Sequence, residues 1–192
     1  QHLRILLEAG IAPPEIEAYV YLYWGLSPWN QTPVERTKAA ISMGAGRFTR
    51  LWLDCEDSTH PYSEAELQAC GAACRDAGVP YGIYTGEWWW VPRTNNSQAF
   101  KQAPLWHAGY THEPPDFGSF RPYGGWTRPA VWQYEGTTQL CGHSVDLNAL
   151  QEAFRSLPYF AASRVLVPNA ARGRVEWYTM AQLAALLDHG TL

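Results

Sequence analysis

Short apolar stretches of strand length recur at residues 18–24, 51–57, 80–85 and 104–107, and helix signals stand between them. A strand, a helix and a further strand in succession call for parallel pairing, because a parallel neighbour is reached only through a long crossover connection. This alternation confines the chain to an α/β fold built on a parallel sheet or a β/α barrel. The helix ends are marked in the sequence. Thr32-Pro33 opens one helix, with proline at the first helical position, and that helix is expected to run to about Met43. Ser63 with Glu66 three residues on forms a capping box for a second, expected to continue to about Ala77 and to close at Gly78. A further short helix is expected over residues 96–102.

Beyond residue 107 the alternation stops. Proline, glycine and aromatic density from Ala108 to Pro129 argues against helix, so a long ordered loop is expected there, and loops of that kind usually serve function. Two more strands are expected at residues 130–134 and 143–148, with no helical pattern between them. The count is then six. A complete eight-stranded barrel takes about 250 residues and rarely fewer than ~200, whereas this chain has 192. Leu3, Leu6 and Leu7 stand at helical spacing ahead of the first strand. The expected fold is therefore a TIM-like β/α barrel with few helices between its last strands, N-terminally truncated, with six of eight strands recognised. Residues 1–157 would form the partial barrel. Residues 158–192 would form a C-terminal extension, with a short strand over 164–167 and a helix capped by Thr179.

The stretch Leu51-Trp52-Leu53-Asp54-Cys55-Glu56-Asp57 is where chemistry is concentrated. Side chains two apart on a strand point the same way, so Trp52, Asp54 and Glu56 share one face, and Leu51, Leu53 and Cys55 share the helix-covered one. Two acids side by side near an indole allow one pKa to rise while the other group stays ionised, as acid catalysis on a sugar requires. Acidic pairs at strand ends also cap helices or bind solvent, so the pair alone leaves both roles open.

Composition narrows the partners. A formal charge of −4 with 14 Lys+Arg gives no basic stripe for nucleic acid. No apolar run approaches the roughly 18 residues that cross a bilayer, and no signal-like segment opens the chain. A monomer without a membrane or nucleic-acid partner is expected. Ten Trp and eleven Tyr suit a surface that must be apolar yet wet, as carbohydrate sites are. Cys55, Cys70, Cys74 and Cys141 fit neither a disulfide nor a zinc pattern and are expected to be buried thiols.

The ordered series Leu53-Asp54-Cys55-Glu56, Tyr81-Gly82-Ile83-Tyr84-Thr85, Pro104-Leu105-Trp106, Trp132-Gln133-Tyr134 and Val145-Asp146-Leu147-Asn148 resembles glycoside hydrolase family 25, lysozymes of phage, bacterial and fungal origin. The similarity spans about residues 1–150, and the series is more specific than any one of its motifs. The resemblance implies a barrel with helices in its first part and nearly none between its last three strands. It implies cleavage of the β-1,4 bond between N-acetylmuramic acid and N-acetylglucosamine in peptidoglycan glycan strands, with no cofactor and no metal, in an extracellular or phage-delivered protein. Carried over by position, Glu56 is the proton donor, Asp54 its partner carboxylate and Asp146 the acid of the last strand. The like charge of Asp54 is expected to help raise the pKa of Glu56. The family also carries an acid on its first strand, which this chain lacks. The sequence is therefore expected to be a piece of a longer protein, inactive as it stands, in preference to a degenerate relative.

Tyr23, Tyr84, Trp88, Trp106, Tyr110, Trp132 and Tyr134, with Trp89, Trp90 and Trp126 beside them, stand at or just beyond strand ends, where the active face of a barrel is built, and are candidates to stack on sugar. His107, His112, Glu113 and Asp116 have irregular spacing in a proline-rich loop, which argues against a metal centre. No Gly-x-Ser-x-Gly elbow is present. A family 18 chitinase also ends its fourth strand in Asp-x-Glu, but with a further acid where this chain has Trp52. A non-catalytic cell-wall glycan-binding barrel is the alternative from another class.

Overall fold

The computed structural model describes residues 16–23, 31–44, 46–59, 63–140, 143–151, 164–169 and 174–179. The helical spacing of residues 3–7, Trp24, Cys141 and the helix expected after Thr179 lie outside them. The elements in order are β1 (Glu17–Tyr21), α1 (Pro33–Gly44), β2 (Arg50–Asp54), α2 (Glu64–Asp76), β3 (Tyr81–Thr85), α3 (Glu87–Thr94), β4 (Leu105–Ala108), a 3-10 turn (Phe117–Ser119), β5 (Val131–Leu140), β6 (His143–Leu150), β7 (Arg164–Asn169) and β8 (Arg174–Thr179). The first six strands make one sheet in sequence order, and β7 and β8 pair with each other as a separate antiparallel hairpin. Neighbours from β1 to β5 are parallel, while β5 and β6 are antiparallel. The mixed sheet is curled into half a barrel.

The two helix signals produce the elements expected of them. Ser63 caps α2 reciprocally with Glu66: the Ser63 Oγ accepts from the Glu66 N–H, and a Glu66 carboxylate oxygen accepts from the Ser63 N–H at 2.9 Å. Thr32 and Glu35 do the same at the start of α1. Both helices cover the outer face of the sheet. There Leu51, Leu53 and Cys55 of the β2 stretch join Leu22, Ile83, Leu105, Leu67, Cys70 and Cys74 in the main core, with all three cysteines as buried free thiols.

The inner face holds a smaller cluster of Trp52, Ala130 and Val131, with Trp106 and Leu150 packed on it. Trp52 is buried, meets the edge of Trp106 at 5.5 Å and donates from Nε1 to a Glu17 carboxylate oxygen at 2.7 Å. Its neighbour across the ladder is Gly82. A Cβ at Gly82 would come within 2.3 Å of the indole, so only glycine lets Trp52 lie across β3.

Two expectations are corrected. The helix near residue 90 is α3, and residues 96–102 are turns: Asn95 and Asn96 stand at φ 53 and 55, the left-handed conformation that ends a helix. Helical turn geometry, not an open loop, therefore sets where the tryptophan run points, although Pro92 lies inside the helix. The last two strands are longer than expected and form a hairpin, since only residues 141–142 separate them and so short a connection cannot cross over to a parallel partner. The 108–129 segment is irregular apart from the 3-10 turn and one bridge between Tyr123 and Trp126, as its composition requires.

Gly82→Ala is expected to destabilise the protein by about 1–3 kcal/mol through overpacking against Trp52. Denaturant unfolding of Gly82→Ala, Trp52→Leu and the double variant measures it; additive losses would show that the two positions do not press on each other.

Candidate active site

Side chains of the sheet's inner face, with Asp54, Glu56 and Tyr84 from the carboxyl ends of the parallel strands and Asp146 from antiparallel β6, line one cleft of about 230 Å³ together with Tyr19, Trp106 and Gln133. In α/β barrels this end of the sheet builds active sites, because the loops that follow the strands converge there. Asp54 ends β2, level with Tyr21 on one side and Tyr84 on the other. The chain stays extended beyond it: the Cys55 N–H donates to the Tyr84 carbonyl at 2.9 Å, and the Thr85 hydroxyl donates to the Cys55 carbonyl at 2.9 Å. Alternation therefore carries on to Glu56, which faces the cleft as Asp54 does. The turn after it is pinned. Asp57 accepts from the Thr59 N–H and hydroxyl, Trp89 Nε1 donates to the Asp57 carbonyl at 2.7 Å, and Arg93 donates to the Ser58 carbonyl at 2.8 Å.

The two acids differ in depth. Asp54 is 7% exposed, and its Oδ1 is buried with no hydrogen-bond partner among the described residues. Burial, and after it the charge of Glu56, pushes its carboxyl up to about 8. Glu56 is half-buried and also raised: burial is the main cause, a hydrogen bond from the Tyr84 hydroxyl would pull the other way, and the charge of Asp146 adds to the rise. Burial is the first cause at both acids, and the like charges of Asp54 and Glu56 oppose each other's ionisation. The Asp54 carboxyl is the one pushed higher, because it is the deeper of the two.

The far wall is one polar chain. The Tyr84 and Tyr110 hydroxyls both donate to Gln133 Oε1, at 2.7 and 3.2 Å, and Gln133 Nε2 donates to Asp146 Oδ2 at 3.1 Å. The Thr137 N–H donates to the other Asp146 oxygen at 3.1 Å. Trp106 meets the edge of Tyr84 at 5.0 Å and donates from Nε1 to Asn148 Oδ1 at 2.8 Å.

Of the residues singled out from sequence, the cleft brings together Asp54, Glu56, Asp146, Tyr84 and Trp106, with Tyr110 exposed at its rim and bonded to Gln133. Four others lie elsewhere. Tyr23 stands past the end of β1, stacked on Tyr21 at 5.5 Å with the Arg36 guanidinium 3.9 Å from its ring. Trp88 is exposed on the first turn of α3, outside the lining of the cleft. Trp132 and Tyr134 point to the outer face of β5. Trp132 is buried there, 4.9 Å from His107, and donates from Nε1 to the Gly109 carbonyl at 2.7 Å, while Tyr134 packs on the same core. Trp90, from α3, and Trp126, from the long loop, are also buried, with their rings 4.9 Å apart. Sequence reasoning missed Tyr19 and Gln133. The signal for both was alternation: Tyr19 is level with Trp52 on the inner face, and Gln133 lies between the two aromatics that point out.

The histidines and acids of the long loop are divided among separate roles. His107 is buried with Nδ1 at 3.0 Å from the Tyr123 hydroxyl, and burial holds its imidazole down to about 4. His112 pairs with Glu135 at 2.7 Å, and Asp116 accepts from the Gly118 N–H. Among the described residues no three such side chains could share a metal ion. A larger cavity of about 450 Å³ lies at the opposite end of the strands, with Arg50, Lys101 and Arg128 in its lining and no carboxylate. It has no group that could donate a proton to a glycosidic oxygen near neutral pH.

A carboxyl that titrates near pH 8 when folded and near 3.8 when unfolded binds its proton more tightly in the folded chain over that interval. The stability this contributes is full at the acid end and declines as pH rises towards 8. Asp54→Asn should flatten this decline. Melting temperatures compared between pH 5 and pH 8 check it, and equal slopes for parent and variant would contradict the depth assigned to Asp54.

Comparison with known proteins identifies the family and the fold. The profile of the family described as lysozyme-like protein 1 matches residues 6–134. Probable GH family 25 lysozyme 3 of Dictyostelium discoideum is 32% identical over 123 residues, which cover 60% of this chain and 26% of that protein. Counting factor 50 of the same organism is 36% identical over 108 residues, 53% of this chain and 35% of that protein. The chain thus spans about a third or less of the length of these two relatives. The structure of muramidase from Acremonium alcalophilum superposes with a TM-score of 0.57 at 19% identity, over 83% of this chain and 78% of that one, which shows a shared fold. The chain belongs to the lysozyme-like protein 1 family and is a glycoside hydrolase family 25 lysozyme-like protein.

Proposed function

We propose that the protein is a peptidoglycan hydrolase that cleaves the β-1,4 bond between N-acetylmuramic acid and N-acetylglucosamine by acid-assisted hydrolysis. The observation that carries this reading is the pair Asp54 and Glu56 in one aromatic-walled cleft, both carboxyls raised by burial. A glycosidic oxygen is a poor leaving group until it is protonated, and a carboxyl that keeps its proton near neutral pH can supply one. Glu56, half-buried at the cleft surface, is the donor a glycan reaches first. Asp54 lies deeper and is the partner. As positive charge develops at the anomeric carbon, it steadies the oxocarbenium ion or orients the substrate's own acetamido group for attack. Asp146 closes the opposite wall. Tyr19, Tyr84 and Trp106 offer ring faces and edges suited to the apolar side of a sugar, and Tyr110 extends that surface at the rim. Such a substrate places the protein outside the cell or at the wall, as an extracellular or phage-delivered enzyme acting as a monomer, with the barrel over residues 1–157 carrying the activity.

A second reading is a barrel that binds cell-wall glycan without cleaving it. It is favoured by one observation: with its carboxyl pushed up to about 8, Asp54 is largely neutral at pH 7 and does not stand ready as an ionised partner. A chitinase-like site is disfavoured by Trp52, which fills the position of a third acid with an indole buried in the inner cluster.

Purified peptidoglycan incubated with the full-length protein separates the readings. Release of new reducing ends is expected, and Glu56→Gln should lower it at least ~100-fold while wall binding in a pull-down persists. Wall binding by the parent without release would favour the second reading, and normal lysis by Glu56→Gln would remove Glu56 as the acid.

A further inference from the structure

The pairing of β2 with β3 ends at Asp54, two residues before Glu56. Beyond it the Cys55 N–H donates to the Tyr84 carbonyl at 2.9 Å, and in a parallel ladder the Cys55 carbonyl would next receive the Gly86 N–H. Gly86 is the N-cap of α3, and among the described residues its N–H makes no such bond. The Thr85 hydroxyl takes the place of that donor, reaching the Cys55 carbonyl at 2.9 Å. Its other acceptor, the Gly86 carbonyl, is 3.5 Å away and too far to compete. Thr85 is fully buried, so bulk water does not compete for the bond either.

Thr85 is itself held from behind. The Tyr123 hydroxyl, on the long loop, donates to the Thr85 carbonyl at 3.2 Å and stands 3.0 Å from His107 Nδ1. A carbonyl only accepts and a phenol has one proton, so the proton of the second contact comes from the imidazole, with Nδ1–H donating to Tyr123. Three buried side chains, from β4, the long loop and β3, thus lead to the carbonyl that precedes Glu56. We propose that Thr85 is a positioning residue, whose hydroxyl stands in for the missing main-chain donor and carries strand geometry past the end of β2, so that Glu56 faces the cleft with Asp54. Tyr123 and His107 brace it. None of the three lines the cleft, so each acts through Glu56 and not on the glycan. Without the Thr85 hydroxyl, the Cys55–Glu56 peptide is free to rotate and the carboxyl turns with it. The kinetic consequence rests on the hydrolase reading, while the geometric one does not.

The test uses the full-length protein. The N–H residual dipolar coupling of Glu56 reports the orientation of the Cys55–Glu56 peptide, and kinetics on soluble peptidoglycan fragments report its effect. Thr85→Val keeps the shape of the side chain and removes the donor. Its Glu56 coupling should depart from the parent value while that of Leu53 stays, and kcat should fall roughly 10–100-fold with KM nearly unchanged. Thr85→Ser returns the hydroxyl and should restore both, which a packing role would not allow, since serine lacks the methyl group that valine keeps. Tyr123→Phe should lower kcat by less and add little to Thr85→Val, because both act through the Cys55 carbonyl. Thr85→Ala is the parallel donor-free variant should valine disturb folding. A parental Glu56 coupling in the donor-free variants, a displaced coupling with parental kcat, or a serine variant that fails to restore the coupling overturns the proposal. Should the parent prove inactive on glycan, the hydrolase reading fails on the kinetics while the couplings still decide the role of Thr85.

Discussion

The Trp52 indole lying across Gly82 is the contact on which the inner side of the sheet depends. It occupies the space beneath the cleft, with Trp106 against one edge and Glu17 accepting from its nitrogen. The interior of a small barrel must be filled by side chains, not left as a pore. With one large ring at this level, Asp54 two residues later sits on an apolar floor instead of over water. The depth of that acid, and so its tendency to keep a proton, follows from a packing choice two positions earlier in the same strand.

Above that floor the polar groups divide into two kinds. Asp54 has a buried oxygen without a partner, which makes its ionised form costly. Asp146, by contrast, receives donors on both oxygens. The cleft thus sets a carboxyl with a buried, unpartnered oxygen opposite one held by donors on both oxygens, with Glu56 in the same lining.

Much of this was legible in the sequence. Alternation in the β2 stretch correctly assigned Leu51, Leu53 and Cys55 to the helix-covered core and Asp54 to the other face, and the capping box at Ser63 located the start of α2. Where the residues are aromatic, residue type and position point different ways: Trp132 and Tyr134 suit sugar binding by type, but they flank Gln133 and so face away from it. The three tryptophans after Gly86 read in the sequence as candidates to stack on sugar beyond a strand end; a helix begins there, and its 3.6-residue turn buries Trp89 and Trp90 while exposing Trp88. The hydrogen bonds that orient Gln133 join β3, the loop after β4, and β6. No single window of sequence contains them.

The hairpin of β5 and β6 has a consequence for how the site comes into being. Gln133 and Asp146 are 13 residues apart and meet across one antiparallel pair, a contact that local chain closure can make within ~1–10 μs. Tyr84 reaches Gln133 from 49 residues away, and Asp54 meets its neighbours on β1 and β3 only after crossover connections have folded. One wall of the cleft can therefore be assembled, with its amide already turned, before the acids arrive. The late step in forming this site is the docking of a buried carboxyl against a wall that is ready for it.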